Sequence, residues 1–232
     1  MKAIILAGGE GRRLRPYTTI LPKPLMPLGD RPILEHLICQ LKNFNIKEIV
    51  LSVGYLAELI EAYFGDGSKY GVNISYLREN KPLGTAGPIR NIESMDEPFL
   101  VMNGDILTDL DFDALITFHK KKGHSLTIAT YKKEVQIQLG VLDIDADSSV
   151  IGYTEKPVLY HTVSMGIYYC NPLVKKYIPE DSRFDLPDLV KGILADGQSV
   201  NAYSHTGYWL DIGRHEDYEY ALDHLGNYVE EK

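Results

Sequence analysis

A glycine-rich turn followed by a cluster of arginines has the residue types that bind a polyphosphate. The apolar run Ile4 to Leu6 ends in residues 7–11, AGGEG, and Arg12, Arg13 and Arg15 follow directly. Glycines leave backbone N–H groups open to an anion. Three cations within four residues repel one another unless a polyanion lies on them. We therefore predict a phosphate-binding loop here, with a solvated basic turn as the alternative.

The spacing excludes two common phosphate-binding motifs. A dinucleotide-binding loop needs G-x-G-x-x-G and a P-loop ends in Gly-Lys-Ser/Thr, and the segment has neither. The chain continues instead through several prolines, so the loop is long and open. Lys23 stands between Pro22 and Pro24, whose φ angles are fixed, so its ammonium group could point at a phosphate in one geometry. An ordinary exposed lysine is the alternative.

The composition limits the classes of function. The chain has 232 residues and a formal net charge of −8, which argues against a nucleic-acid partner. No stretch approaches the roughly 20 apolar residues of a membrane span, and the apolar start is too short for a signal peptide. We therefore expect a cytoplasmic protein with no membrane partner. Cys39 and Cys170 give neither a disulfide framework nor a metal spacing.

Strand and helix patterns alternate along the first half of the chain, and strand patterns are more frequent in the second half. The expected strands are Ala3 to Leu6, Glu48 to Val53, Ile74 to Leu77, Phe99 to Met102, Leu126 to Tyr131, Gly140 to Ile144, Val150 to Glu155 and Val163 to Cys170. The expected helices are Arg31 to Phe44, Leu56 to Phe64, Ala114 to Lys122, Leu186 to Ala195 and Arg214 to Leu225. This rhythm predicts an α/β fold with a Rossmann-like, mixed and mainly parallel twisted sheet flanked by helices.

No linker or repeat divides the sequence, so we expect one domain over residues 1–232. The strand that ends at Met102 places Asn103, Gly104 and Asp105 at its carboxyl end, where open α/β sheets bind their ligands. We expect functional side chains to gather at that edge of the sheet.

Several motifs in a fixed order resemble the sugar-1-phosphate nucleotidyltransferases, also called nucleotide-sugar pyrophosphorylases. The pattern LAGGxGxRLxPxT begins at Leu6, and PKPLxPLxxxPIL begins at Pro22. Further matches, in the order of that family, are Lys81 to Pro88, Asn103 to Asp105, Gly140-Val141, Glu155 to Pro157, Gly166 to Tyr168 and Trp209 to Gly213. They cover nearly the whole chain. The resemblance implies the nucleotide-diphospho-sugar transferase fold, and it is greatest to the catalytic core of the mannose-1-phosphate guanylyltransferase branch.

The resemblance implies a reaction in which a sugar 1-phosphate attacks the α-phosphorus of a nucleoside triphosphate and expels pyrophosphate. Arg13 and Lys23 would contact the triphosphate, and Asp105 and Asp211 would bind Mg²⁺, which takes oxygen ligands. Turn or helix caps are the alternative for each aspartate. A D-x-D pattern at residues 109–113 directly precedes an expected helix, so we interpret it as N-terminal helix charge.

The resemblance also implies the residues around the two substrates and divides the domain at about residue 110. The nucleotide-binding residues of the first half would be Leu6, Ala7, Gly8, Gly9, Gly11, Arg13, Lys23, Pro82, Gly84, Thr85, Asn103 and Gly104. The sugar-phosphate-binding residues of the second half, from about 111 to 232, would be Gly140, Glu155, Lys156, Ser164 and Gly166. Strand ends and bulges are the alternative for Gly140, Glu155 and Lys156.

The loop at residues 82–88 and the segment at residues 208–213 most resemble the mannose-1-phosphate guanylyltransferase branch. This resemblance favours GTP with mannose 1-phosphate, or a related manno-configured heptose 1-phosphate. Two residues depart from the family pattern: Arg12 replaces a small hydroxyl residue, and Ser164 replaces an asparagine. A uridylyl-, cytidylyl- or thymidylyltransferase and a non-catalytic nucleotide-sugar-binding subunit are the other hypotheses. The chain could also form a homo-oligomer, in which the helix predicted within Glu216 to Tyr228 would be an interface or would cover a sheet edge.

Overall fold

The structure is a computed structural model that describes residues 1–93 and 95–229. Its strands are β1 (Lys2–Leu6), β2 (Pro27–Leu28), β3 (Arg31–Pro32), β4 (Glu48–Val53), β5 (Asn73–Arg78), β6 (Phe99–Asn103), β7 (Ile106–Thr108), β8 (Leu126–Gln136), β9 (Val141–Ile144), β10 (Val150–Thr154), β11 (Val158–Cys170), β12 (Val200–His205) and β13 (Trp209–Asp211). Its α-helices are α1 (Ile33–Asn43), α2 (Ala57–Phe64), α3 (Gly87–Arg90), α4 (Phe112–Lys122), α5 (Leu186–Ala195) and α6 (His215–Val229).

Seven strands form the central sheet in the order β12-β8-β11-β6-β1-β4-β5. Strand β11 runs antiparallel to both of its neighbours, and the other neighbouring pairs are parallel. The predicted mixed, mainly parallel sheet is therefore confirmed. The chain leaves β1 toward β4 and β5 on one side and returns to β6 on the other. A sheet whose strand order reverses in this way opens a crevice at the carboxyl ends of the central strands.

The central strands consist of apolar residues because helices cover both faces of the sheet. Ile4 and Ile5 are fully buried, and so are the neighbouring residues of β6. Leu37 and Leu115, from α1 and α4, belong to one core layer, whereas Leu189 of α5 belongs to the other. Full burial of an aliphatic side chain stabilises the fold by about 1.5–3 kcal/mol. The core therefore keeps the carboxyl ends of β1 and β6 in fixed positions.

Helix α1 begins two residues later than the sequence predicts. Arg31 pairs with Leu28 in a short antiparallel ladder, and Pro32 remains extended with ψ of 153°. A residue that precedes proline is sterically kept from the helical region, which holds Arg31 in the extended conformation. The expected helix start at Arg31 is therefore wrong. In α6, by contrast, the expected helix is present, and Tyr218 and Ala221 pack it against the cluster that includes Leu28 and Ile212.

Strands β8 and β11 extend beyond the sheet and, with the hairpin β9–β10, form a projection that we call the arm, residues 132–163. The sequence predicted only the parts of β8 and β11 that lie inside the sheet. None of the residues from 132 to 163 is buried. No helix in the described part of the chain is long and apolar enough to span a membrane.

Candidate active site

A cleft of about 650 Å³ opens at the carboxyl ends of β1 and β6. Leu6 and Asn103, the last residues of these strands, are register partners, so their loops begin side by side. All twelve residues that the sequence predicted for nucleotide binding line this cleft. The switch point of the sheet therefore brings together loops that lie up to about a hundred residues apart in the chain.

Close backbone packing explains the glycines of the first loop. A Cβ atom on Gly8 would lie 3.0 Å from Glu79 Oε1 and 3.2 Å from the backbone nitrogen of Gly54. Gly11 has a φ of +60°, which disfavours residues with a side chain. The loop thus lies low over the strand ends and leaves room above it for an anion.

The sequence alone suggested that the three arginines of the loop act together, but the structure gives them different partners. Arg12 Nε lies 2.6 Å from Glu10 Oε2 and Arg12 Nη2 lies 3.0 Å from Oε1, while Arg15 lies 3.6 Å from the same carboxylate. The Arg12 hydrogen bond lowers the pKa of Glu10. Glu10 offsets at most one of these two positive charges, and Arg13 is the loop arginine that forms no ion pair within the described residues.

Arg13 lies toward the far wall of the cleft. A Cβ atom on Gly213 would be 3.2 Å from both terminal nitrogens of its guanidinium group, so a glycine there lets the group lie flat against the backbone. Within the described residues, Arg13 forms no hydrogen bond or ion pair of its own. Its five N–H donors are therefore available to phosphate oxygens.

Lys23 is a buried cation at the floor of the cleft. Its side chain is 10% exposed, and its Nζ contacts Asp105 Oδ2. A single 3-10 turn, Lys23–Leu25, follows Pro22 and is closed by the Met26 N–H, which donates to the Lys23 carbonyl at 3.0 Å. A buried charge needs a partner of opposite sign. The prolines and Asp105 therefore fix the position of the ammonium group, as the sequence predicted for its backbone.

Asp211 lies near Asp105 because β7 pairs with β13, although of the two only Asp105 lines the cleft. Asp211 lies opposite Ile106, and the N–H of Ile212 donates to the Asp105 carbonyl at 3.0 Å. Burial raises the pKa of Asp211, the Asp105 carboxylate raises it further, and Lys23 and Arg13 oppose these effects. The carboxylates thus repel each other in a setting that favours a cation between them.

The two carboxylates fit a magnesium ion whose remaining ligands come from the substrate and water. Asp105 Oδ1 is buried and accepts no hydrogen bond within the described residues, so it has lone pairs for a cation. Among those residues, no cluster of three His, Cys, Asp or Glu side chains could hold a metal by itself. Mg²⁺ is commonly bound by one or two carboxylates together with substrate phosphates and water.

Glu79 is a cleft residue that the sequence interpretation missed. It follows β5, and its carboxylate accepts hydrogen bonds from Ser52 Oγ at 2.7 Å and from the Leu83 N–H at 3.0 Å. Its position just after a parallel strand, five residues before Gly84, is the signal that could have identified it. The two hydrogen bonds fix the position of this carboxylate in the lining of the cleft.

A second missed residue, Asp185, holds the loop at residues 83–87. Its Oδ1 accepts from the Thr85 N–H at 2.9 Å and from the Thr85 hydroxyl at 3.2 Å, and that hydroxyl accepts from the Leu186 N–H at 2.8 Å. The Phe184 N–H donates to the Leu83 carbonyl at 2.8 Å. The Thr85 hydroxyl, which we expected to face a ligand, is thus engaged within the protein. We call residues 184–186 the clamp.

The predicted sugar-phosphate residues fall into two groups. Gly166 adjoins the cleft, since a Cβ atom on it would lie 2.6 Å from Asn103 Nδ2, and its N–H donates to Ser164 Oγ at 3.2 Å. Gly140, Glu155 and Lys156 lie on the arm instead and do not line the cleft. The Tyr153 hydroxyl donates to Glu155 at 2.7 Å. Their contact with a sugar phosphate stays a prediction.

The D-x-D pattern has structural roles. Asp111 caps α4 and accepts from the Ala114 N–H at 2.9 Å, which confirms its interpretation as a helix-terminal charge. Asp109 instead lies 2.8 Å from His205 Nε2, an ion pair when the histidine is protonated. Neither aspartate lines the cleft.

Comparisons with known proteins found a matching family model and several relatives of similar sequence. Residues 2–227 match the family model described as nucleotidyl transferase. The chain is 36% identical to a UTP--glucose-1-phosphate uridylyltransferase of Synechocystis sp., over 96% of this chain and 62% of that protein. It is 39% identical to a mannose-1-phosphate guanyltransferase of Yarrowia lipolytica, over 94% and 62%. The chain thus spans about 62% of the length of these curated relatives.

A solved structure resembles the whole chain. The crystal structure of HddC from Yersinia pseudotuberculosis complexed with GMP-PN is 28% identical and superposes with a TM-score of 0.74. The match covers 97% of this chain and 99% of that one.

Proposed function

This chain belongs to the nucleotidyl transferase family, and we propose that it transfers a nucleotidyl group from a nucleoside triphosphate to a sugar 1-phosphate. The observation that carries the proposal is the cleft at the β1–β6 switch point. Its lining combines a glycine loop, two cations and the Asp105 carboxylate, and Asp211 interacts electrostatically with Asp105. These are the groups that align and neutralise two phosphates, and the reaction requires no nucleophilic side chain.

The residues would act by charge and position. A phosphate oxygen of the sugar 1-phosphate forms a bond to the α-phosphorus, and the bond to the bridging oxygen of pyrophosphate breaks, so pyrophosphate leaves with the electron pair. Lys23 would neutralise charge at the α-phosphate, and Arg13 would bind the departing pyrophosphate. Asp105 and Asp211 would hold Mg²⁺, which supplies positive charge to the phosphates when bound.

Glu79 supports GTP as the nucleotide. Its two oxygens each accept one protein hydrogen bond, and each keeps a lone pair. Guanine presents two adjacent donors, N1–H and N2–H, which a carboxylate accepts together. Uracil and thymine present one N–H between two carbonyl oxygens, and those oxygens would repel a carboxylate. The GMP-PN complex of HddC is in keeping with this choice, whereas the relatives' names include both guanyl- and uridylyltransferases.

We propose mannose 1-phosphate, or a manno-configured heptose 1-phosphate, as the acceptor. Ser164 and Gly166 adjoin the cleft beside Asn103 and would contact the sugar. On the arm, Glu155 would accept hydrogen bonds from sugar hydroxyls and Lys156 would bind the sugar phosphate.

Release of pyrophosphate tests the proposal directly. Purified protein with Mg²⁺ is given each of GTP, UTP, CTP and dTTP with mannose, heptose and glucose 1-phosphates, and kcat/KM is measured for every pair. We expect the highest value for GTP with a manno-configured sugar phosphate. A higher value for another nucleotide would overturn the guanylyl assignment and leave the reaction class intact. Failure of every pair would favour the non-catalytic binding subunit.

A further inference from the structure

Helix α6 contacts the segment that carries both cations of the cleft. We call this segment, residues 12–28, the cation segment. His215 Nε2 lies 2.8 Å from the Arg15 carbonyl oxygen, and the Tyr218 hydroxyl donates to the Pro27 carbonyl. One contact precedes the buried lysine of the segment and the other follows it. The first turns of α6 therefore anchor the cation segment near both of its ends.

Side chains of α6 also pack on the cation segment. The ring centroid of Tyr17 lies 5.5 Å from that of His215 and 6.3 Å from that of Tyr218. A Cβ atom on Gly29, directly after the segment, would lie 2.5 Å from Leu225 Cδ2. Close packing of this kind leaves little freedom for movement between the helix and the segment.

Asp217 fixes the backbone against which Arg13 lies. Its Oδ2 accepts from the Gly213 N–H at 3.1 Å and from the Arg214 N–H at 2.8 Å. A Cβ atom on Gly213 would be 3.2 Å from both terminal nitrogens of Arg13, so the position of this backbone sets the space that the guanidinium group occupies. Asp217 therefore acts on Arg13 through Gly213.

We propose that the first turn of α6 positions Arg13 for phosphate binding, with His215 and Asp217 as the positioning residues. The inference rests on the proposed function, in which Arg13 binds the departing pyrophosphate. Neither positioning residue lines the cleft. His215 acts through Arg15, which ends the single 3-10 turn that carries Arg13, and Asp217 acts through Gly213. A cation held in place from two sides binds an anion with little reorganisation.

The charge of Asp217 is a second way in which this residue acts on the site, since its carboxylate contributes to the raised pKa of Asp211. Asp217→Asn separates position from charge. An asparagine keeps an oxygen that accepts from the Gly213 N–H but carries no charge. If Asp217 acts by position, the asparagine variant should bind pyrophosphate nearly as the wild type does, whereas the alanine variant should not.

His215 allows a matched pair of substitutions that keep the helix packed. His215→Phe keeps a ring beside Tyr17 but has no donor for the Arg15 carbonyl. His215→Gln loses the ring but keeps an N–H donor at a similar reach. The proposal predicts that the donor matters for anion binding, so the glutamine variant should bind pyrophosphate more tightly than the phenylalanine variant.

Calorimetric titration with inorganic pyrophosphate and Mg²⁺ tests the proposal without turnover. His215→Phe and Asp217→Ala should each raise the dissociation constant at least about 5-fold, which is part of the effect of one hydrogen bond to a charged group. His215→Gln and Asp217→Asn should recover most of the affinity. Glu219→Ala, at an exposed position of the same helix, is the control and should bind as the wild type does.

A double-mutant cycle identifies the residue through which His215 acts. In an Arg13→Ala background, His215→Phe should change the dissociation constant less than about twofold, because the group that it positions is absent. An equal effect of His215→Phe with and without Arg13 would overturn the proposal, and so would wild-type affinity in both His215→Phe and Asp217→Ala. A wild type that binds no pyrophosphate would instead contradict the proposed function, and this inference with it.

Discussion

In the reaction that we propose, Lys23 is held in position before any phosphate binds. Its ammonium group is buried beside Asp105 and its backbone is held in a 3-10 turn, so little reorganisation is needed when an anion arrives. Arg12 is the opposite case, because it is exposed and bound by Glu10. Arg12 and Lys23, which lie eleven positions apart in the sequence, are therefore expected to contribute differently to the reaction.

Substitution of Lys23 should lower kcat far more than substitution of Arg12. Lys23→Ala and Asp105→Asn should each lower kcat at least ~100-fold, which is the effect of losing one preorganised electrostatic contact. Arg12→Ala should change kcat less than about threefold, since an exposed ion pair contributes little. Steady-state pyrophosphate release measures all three, and circular dichroism checks that each variant folds. Near-normal rates for Lys23→Ala would contradict its role.

Base selection should depend on the charge of Glu79. Glu79→Gln replaces one acceptor oxygen by an N–H donor, so kcat/KM for GTP should fall by about 10- to 100-fold, the loss expected when a hydrogen bond to a charged group is broken. An amide offers a donor and an acceptor together, which matches uracil better, so the ratio of UTP to GTP turnover should rise. Glu58→Gln, on the exposed side of α2, is the control. An unchanged ratio would show that Glu79 does not read the base.

Motif residues of the cleft could be predicted from the sequence, whereas Glu79 and Asp185 could not. The motif residues either end a strand or form a glycine loop, and both features are local. Glu79 is held by Ser52, 27 positions away, and Asp185 binds Thr85, 100 positions away. Such partners become neighbours only through the sheet order, which single-sequence periodicity does not specify.

At the scale of elements, the first turn of α5 supports the end of the cleft that holds Glu79. The clamp binds the loop at residues 83–87, and Leu83 in turn donates to Glu79. The Glu79 carboxylate is thus positioned by an element from the other half of the chain. Sequence patterns predicted α5 with its exact bounds, but they gave no indication of this contact.

Removal of the clamp should loosen nucleotide binding. Asp185→Ala loses two hydrogen bonds to Thr85 and should raise KM for GTP about 10-fold or more, with a smaller effect on KM for the sugar phosphate. Asp185→Asn keeps an acceptor and should recover part of the loss. Asp188→Ala, in the same helix turn and bound to Lys191, should leave both KM values unchanged. Equal effects at positions 185 and 188 would indicate a general change in helix stability instead.

Strands β8 and β11 are longer than the sequence pattern predicts. Leu126 to Tyr131 is rich in β-branched and aromatic residues, so its strand was predicted, but the polar run that follows carries no apolar period. That run continues as strand only because it pairs with the start of β11, where Val135 lies opposite Leu159. Pairing of this kind overrides local preference, and it builds the arm.

At the scale of the whole molecule, two halves of one sheet meet at the switch point and share one cleft. The glycine loop and Glu79 come from the first half, and Asp211 and the clamp come from the second. The division at about residue 110 into a nucleotide-binding and a sugar-phosphate-binding half stays a prediction. Base selection, in particular, would draw on residues of both.

Ligand binding should therefore stabilise the fold as a unit. GTP with Mg²⁺ at about 100 times its dissociation constant should add about 2.7 kcal/mol to the free energy of unfolding, which raises the melting temperature by roughly 5–10 °C. Differential scanning fluorimetry measures the shift. Asp211→Asn should lose the part of the shift that depends on Mg²⁺. A variant shift equal to that of the wild type would argue against Asp211 as a metal ligand.

The pairing of β13 with β7 has a consequence for how the protein is made. Asp105 is synthesised about a hundred residues before Asp211, which reaches it only through Trp209–Asp211. The glycine loop, Lys23 and the first carboxylate can therefore assemble early on a nascent chain, while the second carboxylate is still missing. Translation itself thus delays completion of the proposed metal site until the strand that closes it has been added.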